Sequence, residues 1–204
     1  MGRVTTALAI LGLASSCAWT STPKAETKAS LVKTSTYEAA GERVLRHELT
    51  LNAPVEEVWH SFTTSDGLRT WAAPVVEFEL KTGGKFHSNY RLSGHVGDPG
   101  TIYNTVLSYL PMKMLSFKIA LTEQFPAGPR EAGTLVAIAQ LEPLGKRRTK
   151  LVLSMVGFGN GPDWDKVFNS FAAKNPDALS NLQQSLEKGP IDWKQLEMAS
   201  AAAK

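Results

Sequence analysis

Six short apolar segments, separated by turns rich in Gly and Pro, occupy the middle of the sequence. They cover residues 75–81, 85–93, 101–109, 114–121, 134–142 and 149–156. Each has seven to nine residues. Alternation of side chains, the period of a half-buried strand, favours one inward face in four of them, residues 75–81, 85–93, 114–121 and 149–156. Strands of this length that follow one another at even spacing form an antiparallel meander. This part of the chain therefore predicts one curved sheet.

Elements on the N-terminal side of this run are also recognisable. Residues 44–51 are rich in apolar and β-branched side chains and predict a further strand. Apolar residues then recur at i, i+3, i+4 and i+7 over residues 55–62, which predicts a short amphipathic helix. A second short helix, capped by Ser65 or Asp66, is predicted to end before Pro74.

A long helix is predicted to end the domain. Its apolar stripe begins at Trp164 and resumes at Leu179, after Pro176. We expect an interruption at Pro176, because proline has no N–H to donate within a helix. Gly189 and Pro190 are typical of a helix end. The predicted order of one strand, two helices, six strands and one helix is that of an α+β fold.

The N-terminal segment has the features of an export signal. Arg3 precedes residues 4–16, which carry no charge and whose apolar part is too short to span a bilayer. We therefore predict a signal peptide over residues 1–16 and an exported protein, periplasmic or anchored to the envelope. The single cysteine, Cys17, follows small residues in LASSC and resembles the acylated cysteine of a lipoprotein. Cleavage after Ala18 without lipidation, or a cytoplasmic chain, are the alternatives.

Composition changes along the chain predict the remaining boundaries. Residues 17–36 are rich in Ser, Thr, Lys and Ala, so we predict a disordered tether there. A single domain is predicted over residues 37–193, followed by a frayed, Ala-rich tail over residues 194–204.

Charge and motif content exclude several kinds of site. The net charge is only +3 and no run of five basic residues occurs, so we predict no nucleic-acid partner. One cysteine excludes a disulfide framework. No metal, cofactor or catalytic residue is predicted, because the histidines lack metal-ligand spacing and no nucleophile elbow is present. The four histidines are His47, His60, His87 and His95.

Two other motifs have simple structural interpretations. The glycines of residues 157–161 favour a strand-to-helix turn over a phosphate loop, because Pro162 stands where a third glycine would be needed. Glu77 and Glu79 share one strand face, opposite Phe78, and are expected to be exposed to solvent rather than paired for acid/base chemistry.

Specific stretches of sequence resemble a known family. They are residues 51–62 (LNAPVEEVWHSF), 68–74 (LRTWAAP), 81–86 (KTGGKF) and 114–117 (MLSF), with further similarity at 149–153, 157–164 and 182–193. Together they are similar to the activator of Hsp90 ATPase homologue 1-like domain of the START/Bet v 1-like (SRPBCC) superfamily, here as an exported bacterial member. The resemblance implies a helix-grip fold, in which a curved antiparallel sheet encloses a long C-terminal helix. Export departs from a co-chaperone role, because the periplasm has no ATP-driven Hsp90.

The resemblance also implies a cavity between the sheet and the terminal helix. We expect its lining to be Trp71, Phe78, Tyr90, Phe117, Met155, Trp164 and Phe168, although a filled core would use the same residues. A one-residue shift in register would instead turn His87, Asn89, Arg91 and Tyr103 inward.

The expected function is a non-catalytic one, the binding of a hydrophobic small molecule or lipid in that cavity. A protein-interaction or chaperone-accessory module is the first alternative. An enzyme that acts on a cavity-bound substrate is the second alternative. It requires a buried carboxylate or histidine with a perturbed pKa in the pocket.

Overall fold

An eight-stranded antiparallel sheet and a long helix dominate the computed structural model, which describes residues 32–39 and 41–202. The strands are β1 Lys33–Ala39, β2 Glu42–Leu51, β3 Val75–Phe78, β4 Lys85–Asn89, β5 Ile102–Leu110, β6 Met114–Lys118, β7 Val136–Pro143 and β8 Thr149–Phe158. The helices are α1 Val55–Thr63, α2 Ser65–Arg69, α3 Ala127–Ala132, α4 Pro162–Lys188 and α5 Trp193–Ala202.

The strand order is β1-β2-β8-β7-β6-β5-β4-β3. Strands β3 to β8 form the predicted meander, and β2 joins it by pairing with β8 from Leu51 opposite Thr149 to Arg43 opposite Phe158. The sheet is curved, and α4 crosses its concave face. The predicted α+β helix-grip fold is confirmed.

Helix α1 forms where the apolar stripe predicts it. Val58, Trp59 and Phe62 are buried, and each buried side chain of this size stabilises the fold by about 1.5–3 kcal/mol relative to an exposed one. Two glutamates, Glu56 and Glu57, lie in its first turn, beside the positive end of the helix dipole.

The cap of α2 differs from the prediction. Thr64 has an extended backbone, and its Oγ1 accepts a hydrogen bond from the N–H of Gly67 at 2.9 Å. The Ser65 hydroxyl instead accepts the N–H of Phe78 at 2.9 Å, which fastens α2 to β3. Neither Ser65 nor Asp66 is the cap, because the helix begins one residue earlier than expected.

Helix α4 runs through Pro176 without the interruption that we predicted. Proline withholds a hydrogen bond from the carbonyl of Ala172 and costs about 3 kcal/mol inside a helix. Val167 before the proline and Leu179 and Leu182 after it are almost completely buried. Their burial outweighs the local penalty.

Strand β1 extends into residues 33–36, for which the composition predicts a disordered tether. Residues 33–36 pair with β2, beginning with Lys33 opposite Glu48. The strand KTSTYEA is polar on both faces and mostly exposed, so it has no apolar alternation to reveal it. Main-chain pairing with β2 explains its position. The predicted signal peptide and Cys17 lie outside the described residues.

Two short helices replace predicted irregular structure. Helix α3 follows Pro126 and ends at Gly133, whose φ of 59° suits a residue without a Cβ. Helix α5 occupies most of the tail that we expected to be frayed. Its Trp193 indole N–H donates to the carbonyl of Arg69 at 2.6 Å, which ties the start of α5 to α2.

The concave face of the sheet carries two adjoining core regions. One joins α1, α2 and the C-terminal half of α4 to the sheet, and the other lies under the N-terminal half of α4. Phe117 and Leu153 pack against both regions. Among the helices of the described chain, none combines the length and the apolar character that crossing a bilayer requires.

Candidate ligand site

The seven residues expected to line a cavity occupy three different environments. Trp71 and Met155 are buried in the two core regions, and Tyr90 is 63% exposed. The other four, Phe78, Phe117, Trp164 and Phe168, are partly buried on the concave side. The structure therefore does not bring all seven around one space.

Trp71 is part of the packed core. Its indole N–H donates to the carbonyl of Ser61 at 2.9 Å, and its ring lies 5.0 Å from that of Phe62. Both contacts join α2 to α1, so Trp71 holds the two helices together. Met155 is similarly enclosed, and its sulfur accepts the side-chain N–H of Asn175 at 3.1 Å.

Tyr90 points to solvent because β4 ends at Asn89, one residue before it. The buried Asn89 side chain accepts the N–H of Arg91 at 2.9 Å and donates to the Thr101 hydroxyl at 3.2 Å. It thereby caps the loop that follows β4 and ends the alternation. His87 lies opposite Tyr103 on the convex side, as expected, with the rings 4.8 Å apart.

Three phenylalanines form an edge-to-face series across the concave side. The ring of Phe86 lies 5.5 Å from that of Phe78 and 4.9 Å from that of Phe117. All three stay partly buried, because α4 packs chiefly against β2, α1 and α3. Further partly buried apolar side chains continue the same surface: Leu80, Ile119, Leu121, Leu153 and Phe171. We call these eight residues the apolar groove.

Asn104 adds a polar group to this surface. It pairs with Phe86 across β4 and β5, so the two side chains share the concave face. Its Oδ1 accepts the N–H of Ala120 at 2.9 Å, which fixes the amide and leaves its N–H₂ without a partner among the described residues. Sequence reasoning missed Asn104, because β5 lacks a clear alternation. Asn104 lies two residues before the apolar Val106, and this spacing was the one sequence signal that both face the concave side.

A surface pocket adjoins the end of the groove. It has a volume of about 470 Å³ and is lined by Gln124, Phe125, Pro126, Lys166, Ser170 and Lys174. Phe125 stacks on Phe171 of the groove, with the centroids 5.8 Å apart and the planes 10° from parallel. The pocket and the groove therefore share an aromatic wall between the α3 loop and α4.

Of the groups with shifted pKa values, His47 lies beside the groove, because it is opposite the groove residue Leu153 where β2 pairs with β8. His47 is completely buried between β1 and α4, and this desolvation lowers the pKa of its imidazole. The pKa of Glu48 is lowered by its hydrogen bond from Arg46 and by Lys150. No group of three His, Cys, Asp or Glu that could hold a metal occurs within residues 32–39 and 41–202.

The two motifs with simple interpretations are placed as expected. Glu77 and Glu79 are about half exposed and lie near Lys85 and Lys81, at 3.8 and 3.1 Å. Of residues 157–161, the first two end β8 and the last three form the turn to α4. Arg43 secures this turn by donating to the carbonyl of Gly159 at 2.6 Å.

Residues 52–187 match the family described as Activator of Hsp90 ATPase homolog 1-like protein. The chain belongs to this family. The match spans α1 to the end of α4 and thus includes the whole apolar groove. The family resemblance inferred from the motifs is confirmed, whereas export stays a prediction.

Solved structures with the same fold are distant in sequence. Protein MLL2253 from Mesorhizobium loti is 22% identical, with a TM-score of 0.58 over 73% of this chain and 100% of that one. CalU16 from Micromonospora echinospora is 18% identical, with a TM-score of 0.54 over 86% of this chain and 98% of that one. The Aha1 dimer from Colwellia psychrerythraea is 19% identical, with a TM-score of 0.54 over 72% and 97%. No curated protein matches the sequence.

Proposed function

We propose that the domain binds a hydrophobic small molecule or a lipid chain in the apolar groove. The observation that carries this proposal is the series of partly buried side chains on the concave face, of which Phe78, Phe86 and Phe117 are the centre. An apolar ligand laid along them gains about 25 cal/mol for each Å² removed from water. Ligand sites combine such a lining with a few polar groups, and Asn104 supplies one.

Groove-filling substitution tests this function. Ile119 is a partly buried groove residue, and Ile119→Trp would occupy the ligand's space. Tyr37→Trp adds the same indole at an exposed position on the edge strand β1 and is the matched control. We expect Ile119→Trp to weaken binding of the apolar dye Nile red and of palmitate at least about tenfold, with Tyr37→Trp unchanged. Equal binding by both variants would contradict the proposal.

The alternative functions have less support. The enzyme alternative requires a buried carboxylate or histidine with a perturbed pKa in the pocket. His47 is such a histidine and lies opposite Leu153 of the groove. It is completely buried, however, and both of its ring nitrogens are within hydrogen-bond distance of Thr34 and Asn175, so it presents no free nitrogen to a ligand. A protein-interaction module would use the sheet edge or the ends of the Trp-bearing helices instead of the groove. A stoichiometric protein partner, found together with no binding of lipid or Nile red, would favour that module.

We also propose that the protein acts in the cell envelope, exported by residues 1–16 and lipidated at Cys17. The intact mass of the protein made with its own N-terminus tests this directly. A chain that starts at Cys17 with a diacylglyceryl increment is expected. A chain that starts at Trp19 would mean a free periplasmic protein, and an unprocessed chain would contradict export.

A further inference from the structure

Two adjacent hairpins place apolar side chains at one end of the sheet. The β5–β6 turn exposes 52% of Leu110 and 38% of Met112, and the β7–β8 turn exposes 43% of Leu144. A hydrogen bond from the N–H of Leu141 to the carbonyl of Lys113, at 2.8 Å, joins the two hairpins. We call residues 110–113 and 144–148 the paired tips.

The first tip keeps a methionine where the backbone favours glycine. Met112 has a φ of 60° and is the sole non-glycine residue with positive φ among the described residues. It follows Pro111 in a turn closed by the N–H of Lys113 and the carbonyl of Leu110 at 3.0 Å. Glycine would adopt this conformation without strain. The strained backbone thus carries an apolar side chain at the exposed tip.

Positive charge surrounds these apolar side chains. Lys113, Lys146, Arg147 and Arg148 are exposed and form no ion pair within the described part of the chain. Glu142 is the one acidic residue of residues 110–113 and 142–148. The paired tips therefore combine protruding apolar groups with a net positive charge.

The N-terminal segment enters the domain at the same end. Lys33 of β1 is level with Leu110 of β5, because the registers run through Glu48, Val152, Gln140 and Met114 in turn. Five strand spacings separate the two residues, which is roughly 24 Å across the sheet, perpendicular to the strands. The 31 residues that precede Val32 therefore join the domain on the side that carries the paired tips.

We propose that the paired tips dock on the anionic surface of a lipid bilayer. Leucine and methionine side chains enter the interfacial region, while the cations face the lipid phosphates. A nucleic acid or an acidic protein would engage the cations without using the protruding apolar groups. A membrane uses both and matches the place where the N-terminal segment enters. This inference goes beyond ligand binding in the groove and does not depend on it.

A fluorescent label at one tip tests the docking. Cys17 is the single cysteine, so full-length protein with Cys17→Ser and Met112→Cys takes one environment-sensitive dye at the tip. Gly128→Cys, at an open position on α3 at the opposite end of the sheet, is the control. With vesicles of phosphatidylglycerol and phosphatidylethanolamine, we expect a blue shift and quenching by bilayer nitroxides for the label at 112 only.

A charge variant tests whether electrostatic attraction to anionic lipid contributes to the docking. Adding Arg147→Gln and Arg148→Gln should lower the ratio of docked to undocked label roughly 30-fold. Equal responses at 112 and 128, or docking that needs no anionic lipid, would overturn the proposal. So would retention on heparin without any response of the tip label to vesicles, which would indicate a polyanion instead.

Discussion

The His47 imidazole connects three parts of the fold. Its Nδ1 lies 3.0 Å from the Thr34 hydroxyl of β1, and its Nε2 lies 3.3 Å from the side-chain nitrogen of Asn175 on α4. The Asn175 N–H₂ can only donate, so Nε2 accepts, and the proton resides on Nδ1. The buried ring is thus neutral, which agrees with the lowered pKa that burial causes.

This arrangement predicts a pH dependence of stability. Because the folded-state pKa is below the ordinary 6.5, the unfolded state binds the proton first as the pH falls. The stability that the neutral His47 contributes is fully present above pH 6.5 and is lost progressively below it. We expect the free energy of unfolding in urea to fall between pH 7.5 and 5.5, and His47→Gln to flatten this slope. An unchanged slope in His47→Gln would assign the effect to another group. The lowered pKa of Glu48 acts below this range.

At the scale of elements, α4 shows how packing overrides a local signal. Its helix continues through Pro176 although the proline lacks one hydrogen bond. The Ser180 hydroxyl donates to the carbonyl of Pro176 at 2.8 Å, within the same stretch of helix. The two halves of α4 bury side chains in different core regions. An uninterrupted helix therefore lets both halves keep their buried contacts.

Replacing the proline should therefore stabilise the protein. We expect Pro176→Ala to raise the free energy of unfolding by about 1–3 kcal/mol. The substitution restores the missing hydrogen bond, and the greater conformational entropy of the unfolded chain offsets part of this gain. Lys174→Ala, at an exposed position on the same helix, should change it by less than about 0.5 kcal/mol. Chemical denaturation compares the two. A loss of stability in Pro176→Ala would show that the proline shapes α4 for its packing.

Elements were predictable where one face is apolar and not where both faces are polar. The stripe of Val58 and Phe62 identified α1, whereas β1 carries no such pattern and is held by its neighbour. The groove was less predictable than the fold. Phe78 and Phe117 follow the strand alternation onto it, but Tyr90 does not, because a tertiary contact of Asn89 ends the strand.

The whole molecule depends on one pairing between distant parts of the chain. Strands β4 to β8 each pair with the preceding strand, whereas β2 pairs with β8. Helices α1 and α2 separate β2 from the meander in sequence. Thr149 is made about 100 residues after Leu51, an interval of roughly 5 to 20 s during translation. For that time β2 and its buried face, with Leu45 and His47, have no partner strand on one side. The nascent chain therefore cannot complete its sheet until β8 has been synthesised, and the proposed export would find it still unfolded during this interval.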